Sequence, residues 1–347
     1  MTRFAWLQSR TLTLATLAAL AALAVVATFT GIRLSHLYDR LVASCAANGD
    51  CGLAAGQFSA HYSWLQNGLE LIVRLAPAIV GIFWGAPLLA RELETGTYRL
   101  AWTQGVSRTR WLTTKLILVG ASAVAAAGLL TLTTTWWFRA VDAVGTNQWD
   151  VFDRRDLAPV AYALFAFALG AFLGTVIRRT PPAMAATLGM FVFTRIAVGA
   201  WVRPHLLPPL HKSMSLLSAG GLGFAIDRGT VDVVARGADI PNAWVQSSRI
   251  VTSSGHAASA TERAAFVGQY CPTIAHPVLP GPNGKFAGDP GAFETCRQQA
   301  ANVFHLAVSY QPAGRYWTFQ WLEAAIYGAL ALVAVVGCYW WVNRRAN

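Results

Sequence analysis

Six long apolar windows leave this chain little freedom in its choice of fold. Each has about the 20 residues that a helix needs to cross the hydrocarbon core of a bilayer. Of 347 residues, 55% are hydrophobic and 12% charged, about half the charged fraction of a soluble protein. Backbone polar groups in lipid must be satisfied within each segment, so we predict an all-α membrane protein. The windows are approximately Thr11–Thr30, Leu71–Ala90, Trp111–Phe138, Pro159–Ile177, Met184–Trp201 and Trp317–Val342.

Basic residues are distributed unevenly over the ends and connections of these windows. One side holds eleven of the 27, against two acids: Arg3, Arg10, Arg91, Arg99, Arg108, Arg110, Lys115, Arg178, Arg179, Arg344 and Arg345. The short connections on the other side hold five: Arg33, Arg40, Arg139, Arg154 and Arg155. The positive-inside rule predicts a multi-pass plasma-membrane protein with both termini cytoplasmic. Topology explains the net charge of +11, so nucleic-acid binding is not expected.

The first window has an alternative interpretation as a secretory signal peptide, because its AALAALA stretch contains small residues. Its apolar run is about 20 residues long, whereas the apolar region of a signal peptide has about 7–15. We therefore expect a retained first helix.

The segment between the fifth and sixth windows has a different composition. It spans about 115 residues, holds ten of the 15 prolines and carries both signs of charge. It is too polar to cross a membrane and too long for a simple connection. We predict a small extracytoplasmic domain at residues 201–316. Residues 1–200 then form five transmembrane helices, and residues 317–347 form the sixth helix and a cytoplasmic tail.

Four cysteines fall on the predicted outer side: Cys45, Cys51, Cys271 and Cys296. That side is oxidising, so two disulfides are expected. Of the three connectivities, Cys45–Cys51 and Cys271–Cys296 is the simplest. Closing the second loop would stabilise the fold by about 3.5 kcal/mol in the chain-entropy treatment. The spacings match no zinc pattern, so no metal site is predicted, and Cys338 in the last window is expected to be a free thiol.

Two windows contain the GxxxG pattern, at Gly81–Gly85 and at Gly170–Gly174. This pattern allows two helix backbones to approach closely. Glycine is also common in membrane helices, so the pattern alone does not decide whether either site is a contact.

Four ionisable residues lie within or at the edge of the windows: Glu70, Arg74, Arg195 and Glu323. Such charges are costly in a bilayer and are usually paired or functional. Glu70 and Arg74 are four residues apart and can pair on one helix face. Arg195 lies about 20 Å along the fifth helix and Glu323 about 9 Å along the sixth, at similar depth. We predict that Arg195 contacts Glu323, or failing that Glu70. A structural ion pair and a place in a substrate path both remain open.

The sequence lacks the motifs of an independent enzyme. There is no GxxxxGK[ST] phosphate-binding loop, and the nearest string, at 281–286, has the wrong spacing. HExxH and GxSxG are also missing, and the histidines of the outer segment fit no ligand pattern. The chain is therefore not expected to bind ATP or to act as an enzyme by itself.

A polar, basic stretch separates the second and third windows. It reads RELETGTYRLAWTQGVSRTRWLTTK, from Arg91 to Lys115. Glycines at 96 and 105 interrupt its helical propensity. We predict a short helix on the cytoplasmic membrane surface, and its charges indicate a protein partner.

The strings at 92–100 and 105–111, with Lys115, resemble the corresponding loop of type-2 ABC transporter permeases. That family reads approximately E-x-E-x-G-T, then P-[VI]-S-R and a Lys; Gly105 stands here in place of the proline. The resemblance implies a permease subunit of an ATP-driven exporter that forms a homodimer or heterodimer and binds separate ATPase subunits, which hold ATP and Mg. It also implies a coupling helix within the loop 91–110. The implied ATPase-contact residues are Glu92, Glu94, Gly96, Thr97, Arg99, Arg108 and Arg110.

Other functions remain open at this point. A sensing or immunity permease would recognise a peptide antibiotic through the outer domain. An importer is disfavoured by the loop type, and a membrane-embedded hydrolase by the missing catalytic motifs. The exported substrate could be a drug, a lipid, a peptide or a glycan.

Overall fold

The computed structural model describes residues 2–43, 45, 52–97, 107–143, 145, 147–217, 221–227, 230–235, 237–238, 240–275 and 290–345. The chain divides into two compact units. One comprises Met1–Leu206 with Tyr316–Asn347, and the other comprises Leu207–Arg315. We call them the helical unit and the inserted unit.

Six helical stretches in the described part of the helical unit are long and apolar enough to cross a membrane. We call them spans 1 to 6: Ala18–Ala43, Ser63–Thr95, Arg108–Asp142, Ala158–Ile177, Thr180–His205 and Ala313–Arg344. Each overlaps one predicted window, and most extend beyond it because the helices continue into polar flanking residues. The underlying α-helices are Thr2–Tyr38, Gly52–His61, Ser63–Val80, Ala86–Thr95, Arg108–Asp142, Ala158–Ile177, Thr180–Ala197 and Tyr316–Arg345. Short π-helical segments occur at Asp39–Ala43, Gly81–Gly85 and Val198–Val202.

Span 4 lies at the centre of the helical unit. Of its most apolar window, 67% is buried within the protein, compared with 17–39% for the other spans. Its buried residues are mostly alanine, glycine and phenylalanine, so neighbouring helices approach it closely. Spans 2, 3, 5 and 6 all contact span 4.

The two GxxxG patterns pack against each other. A methyl group on Gly85 would lie 2.5 Å from the Phe167 carbonyl oxygen, and one on Gly174 would lie 2.5 Å from that of Ala86. A methyl group on Gly170 would lie 2.7 Å from the Ala86 backbone nitrogen. Only glycine therefore fits between the backbones of spans 2 and 4.

The inserted unit contains β-structure, so the prediction of an all-α protein is wrong for this part. Strands β1 (Leu210–Ser215), β5 (Phe304–Gln311) and β4 (Trp244–Thr252) form an antiparallel sheet in that order. Strands β2 (Leu222–Asp227) and β3 (Thr230–Ala235) form a separate antiparallel pair. The described part also contains the α-helices Ala260–Tyr270, Pro272–Ala275 and Pro290–Val303 and a 3-10 helix, Ala313–Arg315.

The sheet and helices of the inserted unit enclose their own hydrophobic core. In β5, Phe304, Leu306 and Val308 alternate with less buried residues, and all three belong to the core. The predicted disulfide Cys271–Cys296 is present, and both cysteines are buried in this core. Small domains are commonly stabilised in this way.

The remaining cysteines lie in the helical unit. Cys338 is a buried free thiol, as predicted. The predicted partner of Cys45, Cys51, lies outside the described residues. The pair Cys45–Cys51 therefore stays a prediction.

Candidate coupling end and charge cluster

Span 2 ends, and span 3 begins, with clear capping signals. Gly96 adopts φ +73° and terminates the helix in the left-handed conformation that glycine tolerates. The Ser107 side chain accepts a hydrogen bond from the Arg110 backbone nitrogen and caps span 3. The sequence strings around 96 and 107 therefore fix both ends of the connection. We call this end of the helical unit the coupling end.

Glu92 lies inside the coupling end and not on its surface. It is 6% exposed and forms an ion pair with Lys115 of span 3, which is 5% exposed. The Lys115 ammonium also lies 5.0 Å from the centre of the Trp111 ring. The Glu92 carboxylate is therefore buried against an internal partner, and its implied role as an ATPase contact stays a prediction.

Glu94 is exposed, and its carboxylate contacts span 5. Oε2 accepts hydrogen bonds from the Thr180 backbone nitrogen at 3.0 Å and from the Thr180 hydroxyl at 2.9 Å. Ala86 and Ala90 of span 2 pack with Ala183 of span 5 in a buried cluster beside this contact. Glu94 therefore connects the end of span 2 to the start of span 5.

The other implied contact residues are distributed around the undescribed connection. Thr97 and Arg110 are exposed and Arg108 is partly buried. The Thr97 hydroxyl lies 3.1 Å from that of Thr95. Arg99 lies outside the described residues, as do the other residues of 98–106, where the short helix is predicted.

At the opposite end of the spans, the charges of spans 5 and 6 meet. The Glu323 side chain of span 6 is 0% exposed. Arg203 donates from Nε to Oε2 at 2.7 Å and from Nη2 to Oε1 at 2.8 Å. Arg195 Nη1 lies 3.6 Å from Oε1, so the contact predicted from the sequence is present. Arg203 is nevertheless the closer, bidentate partner, the stronger geometry for a carboxylate.

Asp153 and Tyr162 complete this group, which we call the charge cluster: Asp153, Tyr162, Arg195, Arg203 and Glu323. The Tyr162 hydroxyl lies 2.6 Å from Glu323 Oε1 and 3.2 Å from Asp153 Oδ1. The Arg195 guanidinium lies over the Tyr162 ring, 3.5 Å from its centre. Both arginines pair with Asp153. Burial opposes ionisation of Asp153, but attraction by Arg203 and Arg195 outweighs it and lowers its pKa. Two positive and two negative charges therefore balance.

Sequence reasoning missed Arg203 and Asp153. Arg203 falls just beyond the predicted end of the fifth window, Trp201. Its spacing of eight residues from Arg195 is a usable signal, since residues about two helical turns apart share one face. Asp153 lies in the connection between spans 3 and 4, and no local pattern links it to residues 42 and 50 positions later.

The predicted pair Glu70–Arg74 is wrong. Glu70 forms an ion pair with Arg154, from the connection between spans 3 and 4, and Arg74 is exposed. Gln66 also donates to Glu70, at 3.4 Å. The partner of Glu70, Arg154, lies 84 residues further along the chain. The spacing of four residues between Glu70 and Arg74 therefore did not decide which arginine pairs with Glu70.

One arrangement in the inserted unit bears on the hydrolase alternative. Ser254 Oγ lies 2.9 Å from His256 Nδ1, and His256 Nε2 lies 3.9 Å from Glu262. The His256 and Glu262 side chains are 63% and 51% exposed, and Glu262 accepts from Ser259 to cap its helix. Burial and preorganised donors are what give such groups catalytic strength. The geometry is therefore that of a solvated turn beside a helix cap.

No group of three or more metal-binding side chains occurs within the described residues.

Comparison with known proteins gives one match. A family described as ABC-2 membrane transporter related matches residues 17–203, which is more than half of the 347-residue chain. The match begins one residue before span 1 and ends in span 5, at Arg203 of the charge cluster. No curated protein and no solved structure matches the chain.

Proposed function

Since this chain belongs to the ABC-2 membrane transporter related family, we propose that it is the permease subunit of an ATP-driven exporter. The observation that carries this proposal is the family match over spans 1 to 5, together with six helices long enough to cross a membrane. The chain is thus a multi-pass membrane protein with a transport role. That ATP supplies the energy, that transport is outward and that the chain binds an ATPase are what we propose.

The energy must come from another chain, because the sequence contains no phosphate-binding loop. In the proposal, a separate ATPase subunit holds ATP and Mg and binds the connection between spans 2 and 3. Thr97 and Arg110 lie exposed at the two ends of that connection. An exposed arginine at this position favours a protein partner with complementary charge.

The transport cycle follows from this arrangement. ATP binding closes two ATPase subunits, which displaces the connection in each of two permease copies. Helices of the permease then move as rigid bodies and change the side on which a central cavity opens. The distribution of basic residues supports cytoplasmic termini, and in the proposal the exporter lies in the plasma membrane. The substrate class stays open among drugs, lipids, peptides and glycans.

A second candidate is a sensing or immunity permease that binds a peptide antibiotic. The observation that favours it is the inserted unit, which is a compact unit with its own hydrophobic core and disulfide. Binding of a peptide antibiotic to the chain, without ATP-dependent export of that peptide from loaded cells, would favour this candidate.

The proposal is tested by purifying the tagged chain after co-expression with a candidate P-loop ATPase. We expect the two to purify together and the complex to hydrolyse ATP. Arg110→Glu should reduce the amount of bound ATPase, because it reverses an exposed charge beside the connection. Arg249→Glu reverses an exposed arginine of the inserted unit and is the matched control, with no effect expected. Equal loss in both variants, or no association in the parent chain, would contradict the proposal.

A further inference from the structure

The N-terminus of span 5 has an unusual requirement for a hydrogen-bond acceptor. The first backbone N–H groups of a helix have no partner within it. In span 5 the first residue is Thr180, and the next two positions are Pro181 and Pro182, which have no N–H. The Ala183 nitrogen already donates to the Arg179 carbonyl at 3.1 Å. The Thr180 N–H is therefore the donor of this first turn that needs an external acceptor.

Glu94 provides that acceptor from another helix. Its Oε2 atom accepts from both the nitrogen and the hydroxyl of Thr180. A carboxylate at a helix N-terminus is also favoured by the helix dipole. Because proline removes the competing donors, this one carboxylate oxygen completes the start of span 5. The cap therefore lies 86 residues away in the sequence.

Glu94 is also close to the connection that the proposed ATPase would displace. It lies two residues before Gly96, where the helix of span 2 ends. On the span 3 side, the connection is held by the buried pair Glu92–Lys115. A displacement of the connection would therefore act on span 3 through Glu92 and on span 5 through Glu94.

Span 5 leads from this contact to the charge cluster. Arg195 and Arg203 lie near its other end and pair with Glu323 of span 6. A continuous helical segment, α-helical over Thr180–Ala197 and π-helical over Val198–Val202, thus joins the Glu94 contact to the groups that hold spans 5 and 6 together. A contiguous set of packed and hydrogen-bonded contacts of this kind can carry coupling between distant sites when one contact has two arrangements. The buried Glu92–Lys115 pair is costly to break, whereas the Glu94–Thr180 contact is solvent-exposed.

We infer that Glu94 is a transmission residue: its hydrogen bonds to Thr180 pass movement of the span 2–span 3 connection to span 5. This inference rests on the proposed function, and it assigns Glu94 to an internal contact in place of the ATPase contact implied by the family resemblance. The two assignments differ in what loss of the carboxylate does. A docking residue would be needed for ATPase binding, whereas a transmission residue would be needed for helix movement after binding.

The test uses the full chain in complex with its ATPase. Spin labels are attached at Ile79→Cys on span 2 and Phe193→Cys on span 5, two exposed positions. The free thiol Cys338 is buried and should not react. The distance between labels is measured without nucleotide and with ATP and vanadate, after dilution with unlabelled protein. We expect a nucleotide-dependent distance change in the parent chain and its loss in Glu94→Ala, with the amount of bound ATPase unchanged.

Two further variants separate transmission from a general effect of mutation. Glu94→Gln keeps an oxygen that accepts from Thr180 and should retain most of the distance change. Arg139→Ala removes an exposed charge near the other end of span 3, outside the connection, and should retain all of it.

The possible outcomes distinguish the inference from the proposed function. A full distance change in Glu94→Ala, or loss of ATPase binding in that variant, would overturn the inference alone. An ATPase-bound parent chain without any distance change would do the same. Failure of the parent chain to bind an ATPase would overturn the proposed function and the inference with it.

Discussion

At the scale of single residues, the charges of the helical unit decide which segments are held together. Glu92 pairs with Lys115, Glu70 with Arg154 and Asp142 with Arg155. Each pair joins segments that are remote in the sequence or separated by a connection. Burying an unpaired charge costs several kcal/mol, so these partners are strongly constrained.

Glu323→Gln tests the charge cluster. The substitution leaves Arg195 and Arg203 with only Asp153, whose side chain is 42% exposed. We expect a loss of about 3–5 kcal/mol of stability, since one member of a buried ion pair is removed. The measurement is thermal unfolding of the purified chain in detergent.

The matched control is Glu294→Gln in the inserted unit. Glu294 pairs with Arg297 through side chains that are 46% and 31% exposed. Exposed pairs contribute about 1 kcal/mol or less, so the midpoint should move little. Equal midpoints of thermal unfolding for Glu323→Gln and the parent chain would contradict the conclusion that the charge cluster stabilises the helical unit. The double substitution Arg195→Glu with Glu323→Arg should not restore stability, because it places a new arginine against Arg203.

At the scale of secondary-structure elements, spans 2 and 4 approach each other closely, backbone to backbone. The π-helical segment Gly81–Gly85 lies at this contact, and its glycines face the glycines of span 4. In lipid no hydrophobic force drives helices together, so close packing of this kind supplies much of the association energy. The span 2 side of this contact leads directly to the coupling end.

Gly170→Ala tests this contact. The added methyl would lie 2.7 Å from the Ala86 nitrogen, so spans 2 and 4 must separate. Overpacking of a tight site costs about 1–3 kcal/mol. We expect a lower unfolding temperature and weaker association with the ATPase, because the coupling end moves with span 2.

Gly189→Ala is the control for this substitution. Gly189 lies inside span 5, and nothing is within 4 Å of an added methyl group. Alanine has a higher helix propensity than glycine, so stability should stay the same or increase. Comparable destabilisation by both substitutions would mean that the effect is not specific to the span 2–span 4 contact.

At the scale of the whole molecule, the chain combines two units with different sources of stability. The helical unit depends on membrane insertion and close helix packing. The inserted unit has a core of its own, in which Cys271 and Cys296 are 3% and 2% exposed. The disulfide closes a loop of 25 residues, which should stabilise this unit by about 3.5 kcal/mol.

Replacing both cysteines, Cys271→Ala with Cys296→Ala, should therefore destabilise the inserted unit in the full chain. We expect faster cleavage between residues 207 and 315 in limited proteolysis, with the spans protected by detergent. Cys338→Ala is the control, because that thiol lies in the helical unit and forms no disulfide. Unchanged cleavage of the inserted unit in the double variant would show that its hydrophobic core keeps the unit folded without the disulfide.

Local properties of the sequence determined the membrane helices and their ends. Apolar composition over about 20 residues is enough to define a span. The caps at Gly96 and Ser107 depend on neighbours in the chain. The disulfide Cys271–Cys296 could also be predicted from the sequence, because only four cysteines fall on the predicted oxidising side.

Only the tertiary structure decided which groups meet. Glu94 contacts Thr180 across 86 residues, Glu70 contacts Arg154 across 84, and Glu323 contacts Arg203 across 120. In the sheet of the inserted unit, β1 likewise pairs with β5 about 95 residues further along the chain. Helical periodicity fixes the face on which a side chain lies but not the segment opposite that face. That choice depends on packing of all six spans at once, which is why Glu92 proved to be buried and Arg203 proved to be the closer partner of Glu323.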